Sequence, residues 1–208
     1  MIRISDMTMK QTAEGFSLSF REKIKLAKLL DKLGTNVIEV EGLHGSRTDA
    51  LRIKSIAMAV SDSIVCAPVE MNEQSISQTW DALQQAKHPR LQVCAPVSAV
   101  QMEYLFHKKP DAMLKAIAET VEACAKLADT EFVAQDATRS EAAFLYQAIE
   151  TAIAAGAKTV TVLDSAGTMM PEEYSAFITG LYEGVPSLKT VTLAVGCANT
   201  LSMADSCV

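Results

Sequence analysis

The sequence predicts an α/β fold of the TIM-type (β/α)8 barrel class, with about seven βα units in this chain. Short apolar, β-branched strands alternate with helical segments at intervals of about thirty residues, as in a parallel sheet covered by helices. Acidic residues recur where strands end, at Asp6, Glu41, Asp136 and Asp164. An open doubly wound sheet binds at a single crevice and would need acids at only two or three strand ends, so the pattern favours the barrel.

The first half is predicted to hold strands at 2–5, 36–40, 64–68 and 91–95. The first helix begins after Ser19, which has capping-box spacing to Glu22, and ends at Gly34. Its buried stripe is expected to comprise Phe20, Ile24, Ala27, Leu30 and Leu33.

A second helix opens at Ser46 or Thr48 and runs to about residue 60, and a third covers 75–86. Trp80 and Leu83 are expected on the buried face of that third helix.

The second half is predicted to hold strands at 131–134, 159–163 and 191–195. A longer connection over 96–109 leads to a helix that starts at Pro110, where the missing N–H costs nothing. The next helix, 140–155, is expected to be capped by Thr138 or Ser140, because T-R-S-E has capping-box spacing to Glu141. A last helix begins near Pro171.

We expect a single domain over residues 1–208, truncated before the eighth strand. A barrel of this class has eight strands in typically about 250 residues, and seven are predicted here. The edges left by seven strands would carry unpaired backbone groups. A partner chain that closes the gap and an open variant of the fold are the alternatives.

Composition narrows the class of protein. No apolar run reaches the eighteen or so residues that a membrane span needs, and the amino terminus enters a strand without signal-peptide regions, so we expect a cytoplasmic protein with no membrane partner. The formal charge of −6 argues against nucleic-acid binding. The five cysteines are scattered and odd in number, which favours reduced thiols over disulfides or a zinc site.

The stretch 132–141, F-V-A-Q-D-A-T-R-S-E, places polar side chains directly after an apolar strand. Helix capping accounts for Thr138, Ser140 and Glu141. It does not account for Asp136 and Arg139, which lie on the strand-to-helix turn where a substrate could reach them.

Five motifs in one order resemble a known family. They are D-M-T-M-K-Q-T-A-E (6–14), V-S-A-V-Q-M-E-Y (97–104), Q-D-A-T-R-S-E (135–141), L-D-S-A-G-T-M-M-P-E-E-Y (163–174) and G-C-A-N-T-L-S-M-A (196–204). They are similar to D-T-T-L-R-D-G-E-Q, T-S-x-I-H-M-E-Y, E-D-A-T-R-S-D, P-D-T-x-G-x-x-x-P-E-E-F and H-x-H-N-D-x-G-x-A. These motifs belong to the 2-isopropylmalate, homocitrate and citramalate synthases, which are hydroxymethylglutaryl-CoA lyase-like barrels with a pyruvate carboxyltransferase-type domain.

The resemblance implies a transferase of amino-acid biosynthesis that condenses acetyl-CoA with a 2-keto acid on a divalent metal. In the family the ligands are the Asp of R-D-G and the two His of H-x-H, with the following Asn nearby. Here these positions hold Gln11, Gly196, Ala198 and Asn199, and the Arg of R-D-G is Lys10.

Three further substitutions lie within the family motifs: Ala13 for the Glu two residues after the Asp of R-D-G, Gln101 for the His of I-H-M and Gln135 for the Glu before D-A-T-R-S. Two amide oxygens fall far short of a Mg2+, Mn2+ or Zn2+ site, so we expect no metal and no cofactor, and the condensing activity is in doubt. The remaining histidines, His44, His88 and His107, are expected at the surface.

Lys10 is the candidate catalytic residue, because its ammonium could hold a substrate carboxylate or form a Schiff base. Alternatively it only neutralises Asp6 or Glu41. Arg139 could clamp a carboxylate in bidentate fashion or pair with Asp136 or Glu141. The candidate substrate-binding residues are Asp6, Gln11, Glu41, Ser98, Asp136, Thr138, Arg139, Asp164, Ser165 and Asn199.

Three hypotheses stay open: a diverged synthase-type acyltransferase, a metal-free lyase or aldolase centred on Lys10, and a catalytically silent paralogue (a pseudoenzyme). The expected partner is a small carboxylate or 2-keto acid in all three. The silent paralogue could instead bind a partner subunit, and a homodimer is a further alternative.

Overall fold

The structure is a computed structural model that describes residues 2–10, 17–43 and 45–197. Its strands are β1 (Ser5–Asp6), β2 (Val37–Glu39), β3 (Ile64–Val69), β4 (Pro89–Pro96), β5 (Asp129–Gln135), β6 (Thr159–Asp164) and β7 (Thr192–Cys197). They follow one another in the sheet in chain order. The pairs β1–β2, β2–β3, β5–β6 and β6–β7 are parallel, so the expected run of βα units is confirmed.

The helices are α1 (Phe20–Leu33), α2 (Arg47–Ala59), α3 (Glu73–Leu83), α4 (Ala99–Tyr104), α5 (Pro110–Ala125), α6 (Ala142–Ala154) and α7 (Pro171–Gly184). Single 3-10 turns occupy Thr8–Lys10, Ala137–Arg139 and Pro186–Thr190. Within the described residues, none of the helices is both long and apolar enough to cross a bilayer.

The chain forms two compact units. The amino-terminal unit comprises Met1–Gln92 with Leu127–Asp129, and the carboxyl-terminal unit comprises Val93–Lys126 with Thr130–Val208. Each unit has its own strand ends and its own set of polar side chains there, so the two are described in turn.

Helix α1 of the amino-terminal unit shows both predicted caps. Ser19 and Glu22 form the capping box, and Gly34 ends the helix at φ 87°, a left-handed conformation that glycine adopts without a steric penalty. The predicted buried stripe is wrong at its ends, because Phe20 and Leu33 are exposed. Ala27 is buried as expected, and Lys23, one turn earlier on the same face, is buried with it.

The core of the carboxyl-terminal unit forms where α5 and α6 pack together beside β5 and β6. Its largest enclosed side chains include Phe132, Ile117, Leu145, Ile149 and Tyr174. The Tyr174 hydroxyl donates to the carbonyl of Val162, which satisfies the one polar atom of that ring. The turn after β5 therefore follows a strand whose side chains are almost all buried.

Two local predictions around the polar turns are wrong. Helix α6 is not capped by Thr138 or Ser140; Glu141 is its N-cap and makes no side-chain cap bond. Both hydroxyls are used instead by more distant partners. The connection over 96–109 also contains helix α4, whose N-cap Ser98 accepts from the Gln101 N–H.

Candidate functional site

Lys10 ends the 3-10 turn after β1 and contacts two polar side chains of the amino-terminal unit. Its Nζ donates to Glu39 Oε2 at 2.6 Å and to Gln92 Oε1 at 2.7 Å. Gln92 Nε2 donates to Glu39 Oε2 at 3.0 Å, and Ser5 Oγ donates to Glu39 Oε1 at 2.7 Å. The Lys10 side chain is 20% exposed, and the Glu39 side chain beside it is 7% exposed.

Burial alone would raise the pKa of Glu39. The charge of Lys10 and the hydrogen bonds from Lys10, Ser5 and Gln92 outweigh that cost, so the pKa of Glu39 lies below its ordinary value. Glu39 is therefore ionised at neutral pH.

The acid that Lys10 contacts is Glu39, whereas the sequence pointed to Asp6 or Glu41. Asp6 accepts from the backbone and hydroxyl of Thr8, and Glu41 pairs with Lys23 and Arg52. Sequence reasoning missed Glu39 and Gln92 because both lie inside apolar strand runs. A polar side chain within such a run is the signal that would have found them.

The second cluster follows β5 in the carboxyl-terminal unit and is centred on Asp136. Arg139 Nε donates to Asp136 Oδ1, and Arg139 Nη2 donates to Asp136 Oδ2, both at 2.7 Å. The Asp136 side chain is 0% exposed and the Arg139 side chain is 50% exposed. The hydrogen bonds and charge of Asp136 raise the pKa of Arg139 above its ordinary value. Of the two predicted roles for Arg139, the structure thus shows its pairing with Asp136.

Hydroxyl groups from two other segments contact Asp136, and a third hydroxyl, within the turn itself, reaches the end of β4. Ser98 Oγ donates to Asp136 Oδ2 at 2.5 Å, and the Asp136 N–H donates to Ser165 Oγ at 3.0 Å. Ser140 Oγ donates to the carbonyl of Val97 at 2.7 Å. The turn after β5 is thus tied to the ends of β4 and β6 by specific hydrogen bonds.

Thr138 and Asp164 form a neighbouring pair. Thr138 Oγ1 donates to Asp164 Oδ1 at 2.7 Å, and the Met169 N–H reaches Asp164 Oδ2 at 3.3 Å. Five of the predicted binding residues therefore form two adjacent hydrogen-bonded groups beside Arg139. They are Ser98, Asp136, Thr138, Asp164 and Ser165.

The guanidinium of Arg139 has donors to spare after it binds Asp136. Arg carries five N–H groups in a planar fork, and the side-on pairing with Asp136 uses one from Nε and one from Nη2. The parallel N–H groups at the end of the fork, on Nη1 and Nη2, are left for another acceptor. Such an end binds a carboxylate in bidentate fashion.

The positions of the family's metal ligands hold Gln11, Gly196, Ala198 and Asn199 in this chain. Gln11, Ala198 and Asn199 lie outside the described residues, but the sequence shows that Ala198 and Gly196 have no ligating side chain. Gly196 pairs with Leu163 across β6 and β7, and a Cβ at position 196 would lie 2.6 Å from Leu163 Cδ2. A side chain at position 196 would therefore meet Leu163, and that leucine would have to shift to admit one.

The described ranges contain no group of three or more His, Cys, Asp or Glu side chains that could hold a metal ion.

A surface groove of about 660 Å3 lies elsewhere in the amino-terminal unit. It is lined by Leu43, Gly45, Glu70, Asn72, Gln74, Ser75 and Gln78. No predicted site residue lines it. We place the chemistry at the strand-end clusters for that reason.

Solved structures share this fold. The hydroxymethylglutaryl-CoA lyase of Pseudomonas aeruginosa matches with a TM-score of 0.76 and 14% identity, over 97% of this chain and 68% of that one. The HMG-CoA lyase of Bacillus subtilis matches with a TM-score of 0.72 and 14% identity, over 91% of this chain and 66% of that one. At this identity the likeness establishes the TIM-type fold and not the activity.

Curated relatives are closer in sequence. The 2-isopropylmalate synthase of Aquifex aeolicus is 34% identical over 99% of this chain, and that of Caulobacter vibrioides is 33% identical over 97% of it. The chain spans about 40% of the length of these relatives. The HMGL-like family model matches residues 2–206, and the chain therefore belongs to the HMGL-like family.

Proposed function

We propose that this chain binds a small carboxylate of the 2-keto acid class at Arg139, and that it does so without the divalent metal of its relatives. One observation carries the proposal: a half-exposed guanidinium is held in a fixed orientation by a fully buried carboxylate. An arginine fixed in this way loses little side-chain entropy when it binds a second anion.

The surroundings of Arg139 favour an acid that carries a second hydrogen-bond acceptor beside its carboxylate. Ser165 Oγ accepts from the Asp136 N–H and keeps its own proton to donate. A 2-keto acid offers a carboxylate for the guanidinium and a carbonyl oxygen for such a hydroxyl.

The donor set argues against the metal. The family's two histidine positions are Gly196 and Ala198, and neither residue has a side-chain ligand. Without a cation to polarise the keto acid, the condensation would lack its main electrostatic assistance. Loss of condensing activity is therefore part of the proposal.

The second candidate function is that of a synthase-type acyltransferase, which the 33–34% identity to 2-isopropylmalate synthases favours. Purified protein would then hold Mg2+, Mn2+ or Zn2+ and consume acetyl-CoA together with a 2-keto acid. Metal analysis and release of free CoA separate this candidate from simple binding.

Schiff-base chemistry at Lys10 is less well supported. The Lys10 ammonium is ion-paired with Glu39 at 2.6 Å, and such pairing favours the charged form over the nucleophilic amine. Borohydride trapping of pyruvate on Lys10 would reverse this ranking.

The test is a calorimetric titration with pyruvate in the presence of EDTA, with uncharged pyruvamide as the matched ligand. We expect saturable binding of pyruvate and at least about ten-fold weaker binding of pyruvamide, because the bidentate contact needs a carboxylate. Arg139→Lys keeps the charge but loses the fork, and should weaken pyruvate binding about ten-fold. Arg21→Lys, at an exposed arginine, is the control.

Equal affinity for pyruvate and pyruvamide would overturn the carboxylate site. Unchanged binding in Arg139→Lys would place the ligand elsewhere. Binding that disappears with EDTA and returns with Mn2+ would favour the metal-dependent synthase.

A further inference from the structure

We infer that Asp136, which the motif alone presents as a ligand-binding acid, is instead a positioning residue that sets the orientation of Arg139. The effect of Asp136 on ligand binding rests on the proposed function. The structural core of the inference, a guanidinium locked by a buried acid, stands on the geometry of the free protein.

Burial first removes Asp136 from direct contact with a ligand. Its side chain is 0% exposed, and both carboxylate oxygens are already occupied by donors from Arg139 and Ser98. A ligand would have to displace these charge-assisted bonds to reach it, and such bonds are the strong ones.

The backbone then fixes the direction of the carboxylate. Asp136 lies at φ 61° and ψ 38°, in the left-handed region, and its N–H donates to Ser165 Oγ at 3.0 Å. Aspartate tolerates this conformation better than most residues. The turn thereby brings Arg139, three residues later, alongside the acid.

Ser98 supplies the last constraint. Its hydroxyl is fully buried, donates to Asp136 Oδ2 at 2.5 Å and also accepts from the Gln101 N–H that opens α4. The orientation of Arg139 therefore depends on a residue of another segment, and the order of dependence is Ser98, then Asp136, then Arg139.

A measurement without ligand tests the core of the inference. The Nε–H of Arg139 should give a resolved, slowly exchanging signal in NMR spectra, assigned by its loss in Arg139→Lys. Asp136→Asn keeps the shape but can offer only one acceptor oxygen, so this signal should shift and exchange at least about ten-fold faster. Arg90 Nε, bonded to Asp129, is the internal control and should not change.

A binding measurement then tests the consequence. Asp136→Asn should weaken pyruvate binding about ten-fold in the wild-type background and have almost no effect in the Arg139→Lys background, because coupled residues are non-additive. Ser98→Ala should weaken it several-fold while Asp136 is kept, and Ser98→Thr, which keeps the hydroxyl, should restore it. The serine pair covers the case in which Asp136→Asn does not fold.

The outcomes are distinguishable. An unchanged Nε–H signal in Asp136→Asn, or in Ser98→Ala if the first variant does not fold, overturns the positioning role and leaves the carboxylate site standing. Equal losses of affinity in both backgrounds would do the same. A changed signal with no pyruvate binding in any variant retains the positioning role and rejects the proposed function.

Discussion

The two units solve one problem in different ways: each places a basic side chain against a buried acid at strand ends. In the amino-terminal unit Lys10 is 20% exposed and is shared between Glu39 and Gln92. In the carboxyl-terminal unit Arg139 is 50% exposed and binds Asp136 through one side of its fork. The first arrangement neutralises an acid inside the protein, whereas the second presents a cation at the surface. The difference follows from geometry, because only the planar fork can serve two acceptors on two edges.

The largest effect should come from breaking the first pair. Lys10→Met leaves Glu39 buried without its cation, which should lower the free energy of unfolding by about 3–5 kcal/mol. Removing the acid as well, in Lys10→Met with Glu39→Gln, should recover much of the loss. Chemical denaturation measures both variants.

The stability of the Lys10→Met variant should also depend on pH in a defined direction. In the wild type the pKa of Glu39 is lowered, so its contribution is present above its unfolded pKa and is lost as the pH falls through the folded value. In Lys10→Met burial acts unopposed by that charge, the pKa rises, and the variant should lose stability as the pH rises through it. A deficit that is constant from pH 4 to 8 would contradict this account.

A matched pair of serine variants sharpens the comparison. Ser5→Ala removes the hydroxyl that donates to Glu39, and Ser98→Ala removes the one that donates to Asp136. Each variant loses a hydrogen bond to a charged acceptor, so its free energy of unfolding should fall by about 1.5 kcal/mol. Chemical denaturation measures this change. Only Ser98→Ala should also weaken pyruvate binding. If Ser5→Ala weakens it equally, the two clusters do not have separate tasks.

The smallest expected effect on stability comes from Asp31, an acid that lies outside the clusters around Glu39 and Asp136. Asp31 accepts N–H groups of Ser61, Asp62 and Ser63 and the Ser63 hydroxyl. Burial opposes ionisation, but these bonds outweigh it and lower the pKa of Asp31 to about 2.

Asp31→Asn should cost about 1 kcal/mol at pH 7, a figure reduced for solvent screening. Because the folded pKa is lowered, the gap between wild type and variant should persist above the unfolded pKa of about 3.9. It should close as the pH falls toward about 2. Thermal unfolding measured against pH checks this, and pyruvate affinity should not change.

Local signals were enough for much of the fold. Ser19 and Gly34 mark the ends of α1 and Pro110 begins α5, because caps and proline act within a few residues of where they stand. The βα alternation was equally readable, since buried parallel strands are apolar throughout.

The site depended on contacts between distant segments, which spacing does not encode. Ser140 does not cap α6 as its position suggested, because its hydroxyl reaches the carbonyl of Val97 instead. Glu39 was overlooked beside the more conspicuous Glu41, although only its partner in the fold, Lys10, makes it the buried acid of that cluster. The sequence indicates both Asp136 and Arg139, but only the geometry of the turn determines that they pair with each other.

The left-handed turn at Asp136 restricts how this protein can change over generations. Branched or bulky residues are excluded at that backbone angle, and glycine and asparagine are the ready replacements. An asparagine codon is one nucleotide from an aspartate codon, and asparagine keeps the turn. It offers Arg139 only one acceptor oxygen in place of two. Drift at this codon would therefore release Arg139 from its fixed orientation while leaving the shape of the loop intact.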